Sequence, residues 1–95
     1  MSSDPRYIAQ ADVVDCDIGG DRALMHLQTN TYFTMNATAS TLWLSLSEPR
    51  TLHDLVTVVT KKFAVSESQC RPDIEGLLAQ MLEAQVIDIA PAGTD

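Results

Sequence analysis

The chain has 95 residues, a length that fits one domain. Hydrophobic residues make up 45%, so the chain can bury a core and is not expected to be disordered. The formal net charge is −7, from 13 acidic and 6 basic residues, which argues against a nucleic-acid partner. An acidic chain suits a protein or peptide partner, although the charge also serves solubility.

The cysteine pattern and the N-terminal composition indicate in which cellular compartment the protein is expected. Cys16 and Cys70 are far apart, lie in no CxxC pattern and have no histidine near them in sequence. We therefore expect no metal site and no disulfide framework, but free thiols in a reducing cytoplasm. The N-terminus lacks the apolar region of a signal peptide, and no stretch approaches the roughly 20 apolar residues of a membrane helix. These patterns predict a cytoplasmic protein without a membrane partner.

Three strands are predicted in the first third of the chain. "ADVVDCDI" precedes the turn signal "GGD", and "RALMHLQ" alternates before "TN" leads into "TYFTM". Asn tolerates a positive φ, so a tight hairpin at Asn30 is plausible without the usual glycine. Successive strand residues face opposite sides, so Tyr32 and Phe33 cannot both enter one core. The pattern predicts an antiparallel meander after a frayed start over residues 1–6.

Three helices are predicted to follow. Asn36 or Thr38 can cap the first, and "TLHD" and "SESQ" resemble capping boxes for the second and third. Pro72 predicts either a later start or a kinked first turn for the third helix. "VIDI" predicts a short final strand. The expected fold is α+β, with one domain over residues 1–95 and flexible ends at about 1–6 and 90–95.

No catalytic constellation is visible in the sequence. His26 is expected on the solvent face of a strand, and His53 after a helix cap is expected to be exposed. Neither has a Ser or Cys partner in a motif, and no phosphate-binding glycine loop is present. Asp12, Asp15 and Asp17 alternate along a strand, which is more typical of a solvated face than of a cation site. We therefore expect a binding module and not an enzyme, with no cofactor.

Two other classes of small acidic protein were weighed. An acyl carrier protein is all-helical and carries its cofactor in an Asp-Ser-Leu motif, which is missing here. A winged-helix DNA-binding or anti-repressor protein has three helices and a small sheet. Its recognition helix should be basic, whereas "PDIEGLLAQMLEAQ" has three acidic residues and no basic one. DNA binding is therefore the less favoured alternative.

An ordered set of segments carries a family resemblance: "TYFTMNATASTLW", "PRTLHDLVTVVTKKFAVS" and "DIEGLLAQMLEAQVI". The set resembles the PqqD-like family, the precursor-peptide recognition elements of ribosomal natural-product (RiPP) biosynthesis. It covers about residues 13–89 and is most similar to the standalone B1 proteins of lasso-peptide systems. The sequence departs from the family pattern at Met35, where Leu is commoner, and at Asn30 and Gln85, where Gly is usual.

The resemblance implies a winged helix-turn-helix-like fold, with a three-stranded antiparallel sheet against three helices. It also implies a non-catalytic protein that binds the precursor leader peptide as an added strand, along the third predicted strand and beside the third helix. The bound leader would be presented to a leader peptidase, a B2-type cysteine protease, and to a macrocyclising synthetase. A PqqD-type chaperone for a radical SAM enzyme is the neighbouring alternative.

The implied peptide site has two walls. An edge strand leaves backbone N–H and C=O groups unpaired, and an extended peptide can satisfy them. One of Tyr32 and Phe33 is expected to anchor the core and the other to lie near the guest strand, and the sequence leaves open which face of the third helix is core. The peptide-binding residues predicted on this basis are Thr31, Tyr32, Phe33, Thr34, Met35, Arg71, Ile74, Glu75, Leu78, Met81 and Leu82.

Overall fold

The computed structural model describes residues 5–90 of the chain. Within this range the elements follow one another in this order: β1 (Arg6–Ala9), β2 (Val13–Ile18), β3 (Asp21–His26), β4 (Thr31–Met35), α1 (Ala37–Ser45), β5 (Arg50–Thr51), α2 (Leu52–Phe63), α3 (Glu67–Glu83) and β6 (Ile87–Ala90). The predicted α+β class, the meander and the three helices are confirmed.

The meander forms a three-stranded antiparallel sheet in the order β2-β3-β4. β3 is the central strand, and its Leu24 lies opposite Phe33 of β4 and Asp15 of β2. The β3–β4 connection is longer than the predicted two-residue turn, because β3 ends at His26 and residues 27–30 form the turn. Asn30 has a φ of 58°, which confirms the expectation that Asn serves in this turn without a glycine.

A second three-stranded sheet, in the order β5-β1-β6, was not predicted. β1 pairs antiparallel with both neighbours, so that Tyr7 lies opposite Arg50 on one side and Ile89 on the other. The segment expected to be frayed therefore reaches a strand at Arg6, while residues 1–4 and 91–95 lie outside the described residues. The short final strand predicted from "VIDI" is confirmed as β6.

The helix starts follow the predicted capping residues. Asn36 Oδ1 accepts a hydrogen bond from the Ala39 N–H at 2.8 Å, so Asn36 is the cap of α1. At α2, Thr51 and Asp54 form both bonds of a capping box, at 3.2 and 3.1 Å. These caps fix where β4 ends and where each helix turns back over the sheets.

α3 begins at Glu67, five residues before Pro72, with Ser66 as its cap. The helix ends in a Schellman motif, in which Gln85 N–H donates to Leu82 C=O at 3.0 Å and Val86 N–H to Met81 C=O at 3.1 Å. Gln85 has a φ of 63°, so it adopts the left-handed conformation that Gly most often takes after a helix.

The core lies between the two sheets and the helices. α3 contributes one buried stripe whose residues are spaced by four, four and three: Cys70, Ile74, Leu78 and Met81. The other fully buried large side chains are Leu24, Leu42, Leu46, Leu55, Val56, Val86 and Ile87. Trp43 is half-buried and packs against this core.

Candidate functional site

β4 is an edge strand whose outward backbone groups can be assigned. It pairs with β3 on one side and stands at the end of the sheet order, so its other side is open within the described residues. Leu27 N–H donates to Asp12 C=O at 2.8 Å, which places the backbone groups of odd-numbered residues in β3 toward β2. The even-numbered residues of β3 therefore face β4. In the observed register, the N–H and C=O groups of Tyr32 and Thr34 consequently point to the free edge.

The side chains of β4 alternate between two faces. Phe33 packs against the core, and Met35 is buried. Tyr32, 58% exposed, lies on the outer face with Thr34. Phe33 is therefore the ring that anchors the core, and Tyr32 is the ring beside the free edge. No residue of β4 carries a charge, so the strand lacks the charged side chains that commonly prevent edge pairing.

A cleft of 340 Å³, named here the apolar cleft, borders the first turn of α1, close in sequence to the end of β4. Thr38, in the first turn of α1, places it there, because Thr38 follows Met35 by only three positions. The end of α2 and the start of α3 close the other sides. The lining residues are Thr38, Val59, Phe63, Val65, Gln69, Cys70, Asp73 and Ile74.

The lining of the apolar cleft suits an uncharged side chain. Val59 and Ile74 are buried and form its floor, while Phe63 is half-buried and Val65 is 37% exposed. Cys70 is a buried free thiol whose Sγ lies 3.8 Å from the Glu67 C=O, as the donor of a weak hydrogen bond. Asp73 is exposed and supplies a carboxylate, so a donor group on a guest could be bound beside an apolar anchor.

The predicted residues of α3 divide between the core and the surface. Ile74, Leu78 and Met81 are at most 2% exposed, which assigns them to the core; of the three, only Ile74 lines the apolar cleft. A peptide cannot contact Leu78 or Met81 without moving the side chains that cover them. α3 has two adjacent apolar pairs, Leu77/Leu78 and Met81/Leu82, and the buried stripe takes one residue from each pair.

The polar residues predicted on α3 lie away from the apolar cleft. At 100° per residue, Arg71 and Glu75 fall on one flank of the buried stripe, whereas the cleft borders the opposite flank. Arg71 donates to Glu67 at 2.8 Å, and this bond lowers the pKa of Glu67 and raises the pKa of Arg71. Arg71 is thus engaged within its own helix, while Glu75 is exposed.

A second cleft of 450 Å³, named here the polar cleft, lies between the other end of α3 and the β3–β4 turn. Its lining residues are Gln10, Asp12, His26, Gln28, Thr29, Leu82, Gln85, Ile87 and Asp88. Leu82 is the one predicted site residue that it contains. Both clefts therefore adjoin α3, one at each of its ends, and β4 runs from the turn beside the polar cleft toward the apolar cleft.

His26 is not on the solvent face, contrary to the expectation. It is 7% exposed and faces the core side of β3, in the same row as Val13 and Thr31. Its Nδ1 accepts a hydrogen bond from the Gln28 N–H at 3.2 Å, so the ring holds the β3–β4 turn. The assignment to the solvent face was wrong because the even-numbered residues of β3, which include the fully buried Leu24, form its core face. His53 is exposed, as predicted.

The acidic residues near β2 are largely engaged within the chain. Asp15 forms an ion pair with Arg22 of β3, and the hydrogen bond of this pair raises the pKa of Arg22. Asp12 accepts from the Gln28 amide at 2.8 Å, and Asp17 accepts from the Gly20 N–H at 3.1 Å. These contacts support the interpretation of a solvated, structural face.

Residues 5–90 contain neither a metal-binding cluster nor a membrane-spanning helix. No group of three or more His, Cys, Asp or Glu side chains in this range is placed to hold a metal ion. No helix in the same range is both long enough and apolar enough to cross a bilayer.

Solved structures with the same fold are complexes with leader peptides. TbiB1 in complex with the TbiA(beta) leader peptide aligns over 90% of this chain and 99% of its own, with 24% sequence identity and a TM-score of 0.73. A lasso peptide synthetase B1 complexed with the leader peptide aligns over 90% and 98%, with 16% identity and a TM-score of 0.69. At these identities the similarity establishes the fold.

Sequence comparison identifies the family. No curated protein sequence gives a significant match to the chain. The family model described as Coenzyme PQQ synthesis protein D (PqqD) matches residues 22–87, from β3 to the start of β6. This range is well over half of the chain, and it includes β4, all three helices and both ends of α3. The chain therefore belongs to the PqqD family.

Proposed function

We propose that this protein binds the leader segment of a ribosomally made precursor peptide, as an added strand on the free edge of β4, without catalysing a reaction. The observation that carries the proposal is the uncharged edge, on which Tyr32 and Thr34 present unpaired backbone groups. An extended peptide gains affinity from such groups, and pockets beside the edge give specificity.

The apolar cleft provides such a pocket. It borders the first turn of α1, close in sequence to the end of β4, so a guest strand that continues past Met35 would bring a side chain to it. Its floor is apolar, and a guest side chain buried there would gain roughly 25 cal/mol for each Å² removed from water. The free edge and the apolar cleft together form a site that needs no cofactor.

The family and the fold support the biosynthetic setting. The chain is a PqqD family member, and two proteins of the same fold, one of them a lasso peptide synthetase B1, are complexes with leader peptides. We assign the chain to lasso-peptide biosynthesis, as a cytoplasmic B1-type protein. In this role it presents the bound leader to a B2-type cysteine peptidase and to a macrocyclising synthetase.

The family description favours one competing assignment, a PqqD-type chaperone that delivers its peptide to a radical SAM enzyme. Both roles use leader binding, so the partner enzyme distinguishes them. Pull-down of the leader-bound chain with each purified enzyme class would separate the two. We expect the cysteine peptidase to be retained and a radical SAM enzyme not to be.

The proposal is tested by titrating the purified chain into a fluorescein-labelled leader peptide, taken from the precursor encoded beside it, and measuring fluorescence polarisation. We expect saturable binding with a Kd of about 10 μM or below, the range in which added-strand sites are visible. The absence of saturable binding at tens of micromolar would contradict the proposal.

Two valines of nearly equal exposure make a matched test of the apolar cleft. Val65 lines the cleft and is 37% exposed, whereas Val58 lies outside the lining and is 36% exposed. Val65→Asp should weaken leader binding by about tenfold, because a carboxylate at the apolar wall loses burial and must be desolvated. Val58→Asp should leave the Kd unchanged, and equal effects of the two changes would remove the cleft from the site.

A further inference from the structure

The outer face of the β2-β3-β4 sheet carries an apolar row that ends at the free edge. Val14, Met25 and Tyr32 lie side by side across the three strands, since Val14 pairs with Met25 and Met25 with Tyr32. Val14 is 41% exposed, Met25 is half-buried and Tyr32 is 58% exposed. We name these three residues the outer row.

The outer row reaches an edge strand at each end, and only the β4 edge is uncharged. At Val14 it meets β2, whose outward backbone groups belong to residues that include Asp15 and Asp17. At Tyr32 it meets the uncharged edge. A strand added to β4 would place one of its own side chains directly beside Tyr32, on the same face, at a Cβ separation of about 5 Å. This holds for either direction of the guest strand, because directly opposite residues share a face in both pairings.

We propose that Tyr32 contacts one leader side chain on the outer face of the sheet and selects for it, and that this side chain is aromatic or β-branched. The inference rests on the proposed leader binding at β4. The phenol ring of Tyr32, backed by the Met25 thioether, offers an apolar surface with no charge in the row. Aromatic and β-branched residues are the types that gain most from such a cross-strand neighbour.

The leader is consequently read on both of its faces. Residues of one parity face the core side, where Phe33 and the apolar cleft lie, and residues of the other parity face the outer row. The next position on the outer face is different, because Thr34 lies beside Ala23, which is small and buried. Only the residue opposite Tyr32 therefore meets an extended apolar neighbour.

The test uses the full chain, a labelled leader peptide and a panel of leader peptides in which each residue is changed in turn to Ser. Tyr32→Thr keeps a strand-forming residue while removing the ring, so the sheet should stay folded. We expect this change to raise the Kd about three- to fivefold. One peptide of the panel, in which Ser replaces the aromatic or β-branched residue opposite Tyr32, should have the same Kd for the parent and for Tyr32→Thr. Tyr32→Phe should bind as the parent does.

Leu44→Gln is the matched control, because Leu44 is 63% exposed and lies on α1 away from the sheet face. The control should leave every Kd unchanged. If the leader binds the parent but Tyr32→Thr alters no Kd, the inference is overturned while the proposed function stands. If the parent binds no leader, the proposed function itself fails. If Tyr32→Thr keeps leader affinity but loses the peptidase, Tyr32 docks a folded partner, and the inference is also overturned.

Discussion

The two edge strands of one sheet differ in what they offer to a guest. On β2, Asp15 and Asp17 are two of the residues whose backbone N–H and C=O groups point to the unpaired side of the strand. Their carboxylates bind Arg22 and the Gly20 N–H, respectively. On β4, the residues whose backbone groups point to the unpaired side are Tyr32 and Thr34, and the whole strand is uncharged. Charged edge positions are a common device against unwanted pairing. The same sheet therefore has a charged edge along β2, named here the guarded edge, and an uncharged edge along β4, named here the open edge.

This difference supports β4 as the proposed binding strand. An open edge is a risk for aggregation, so a small acidic protein gains by keeping one only where a partner uses it. The apolar cleft borders α1, close in sequence to the end of the open edge, whereas the polar cleft lies at the turn from which β4 starts. The uncharged edge and the position of the apolar cleft thus both support β4 as the proposed binding strand.

The largest effect is expected from proline at the open edge. Thr34→Pro removes an outward-facing N–H and leaves the ladder to β3 intact, so the fold should tolerate it. Leader affinity should fall about tenfold, from the lost hydrogen bond and the ring in the path of the guest. Fluorescence polarisation measures the Kd, and thermal unfolding checks the fold.

The guarded edge supplies the control for this change. Asp15→Pro removes the equivalent outward-facing N–H on β2 and should leave the leader Kd unchanged. Equal affinities of the two proline variants would mean that the edges do not differ in function. A loss confined to Asp15→Pro would move the site to β2.

A smaller effect is expected from a change in the capping box of α2, which belongs to neither edge of the sheet. The Thr51 backbone N–H, which donates to Asp54, lowers the pKa of this carboxyl. The lowered pKa stabilises the fold above the unfolded value of about 3.9, and this contribution disappears as the pH falls through the folded pKa. Asp54→Asn should therefore slightly lower thermal stability at pH 7, without changing the leader Kd at pH 7, and the stability difference should shrink as the pH falls. A stability difference that stays constant from pH 7 to acidic pH would refute this assignment.

The elements with strong local signals could be predicted from the sequence. Alternation gave the strand over Tyr32 and Phe33, and Asn36 and Thr51 are the caps that their side chains suggested. The choice of Phe33 as the core-facing ring needed the register, because only pairing with Leu24 shows which face of β4 is covered. The outward direction of Tyr32 follows from the same fact.

Long-range packing could not be predicted in the same way. β1 has four residues, and its partner β6 lies some 80 positions away, so no local pattern identifies it. On α3, adjacent apolar pairs such as Leu77 and Leu78 left two possible buried stripes, and tertiary packing chose the one containing Leu78. The apolar cleft was missed because three helices contribute to it, although the exposed Val65 was a possible signal.

Amide hydrogen exchange tests the central claim most directly, because it reports backbone pairing at each edge separately. Exchange is measured by NMR for the free chain and for the chain saturated with leader peptide. The account predicts that the amides of Tyr32 and Thr34 are protected at least about tenfold by the leader, while those of Asp15 and Asp17 are unchanged. Saturating leader binding without added protection at Tyr32 and Thr34 would contradict it.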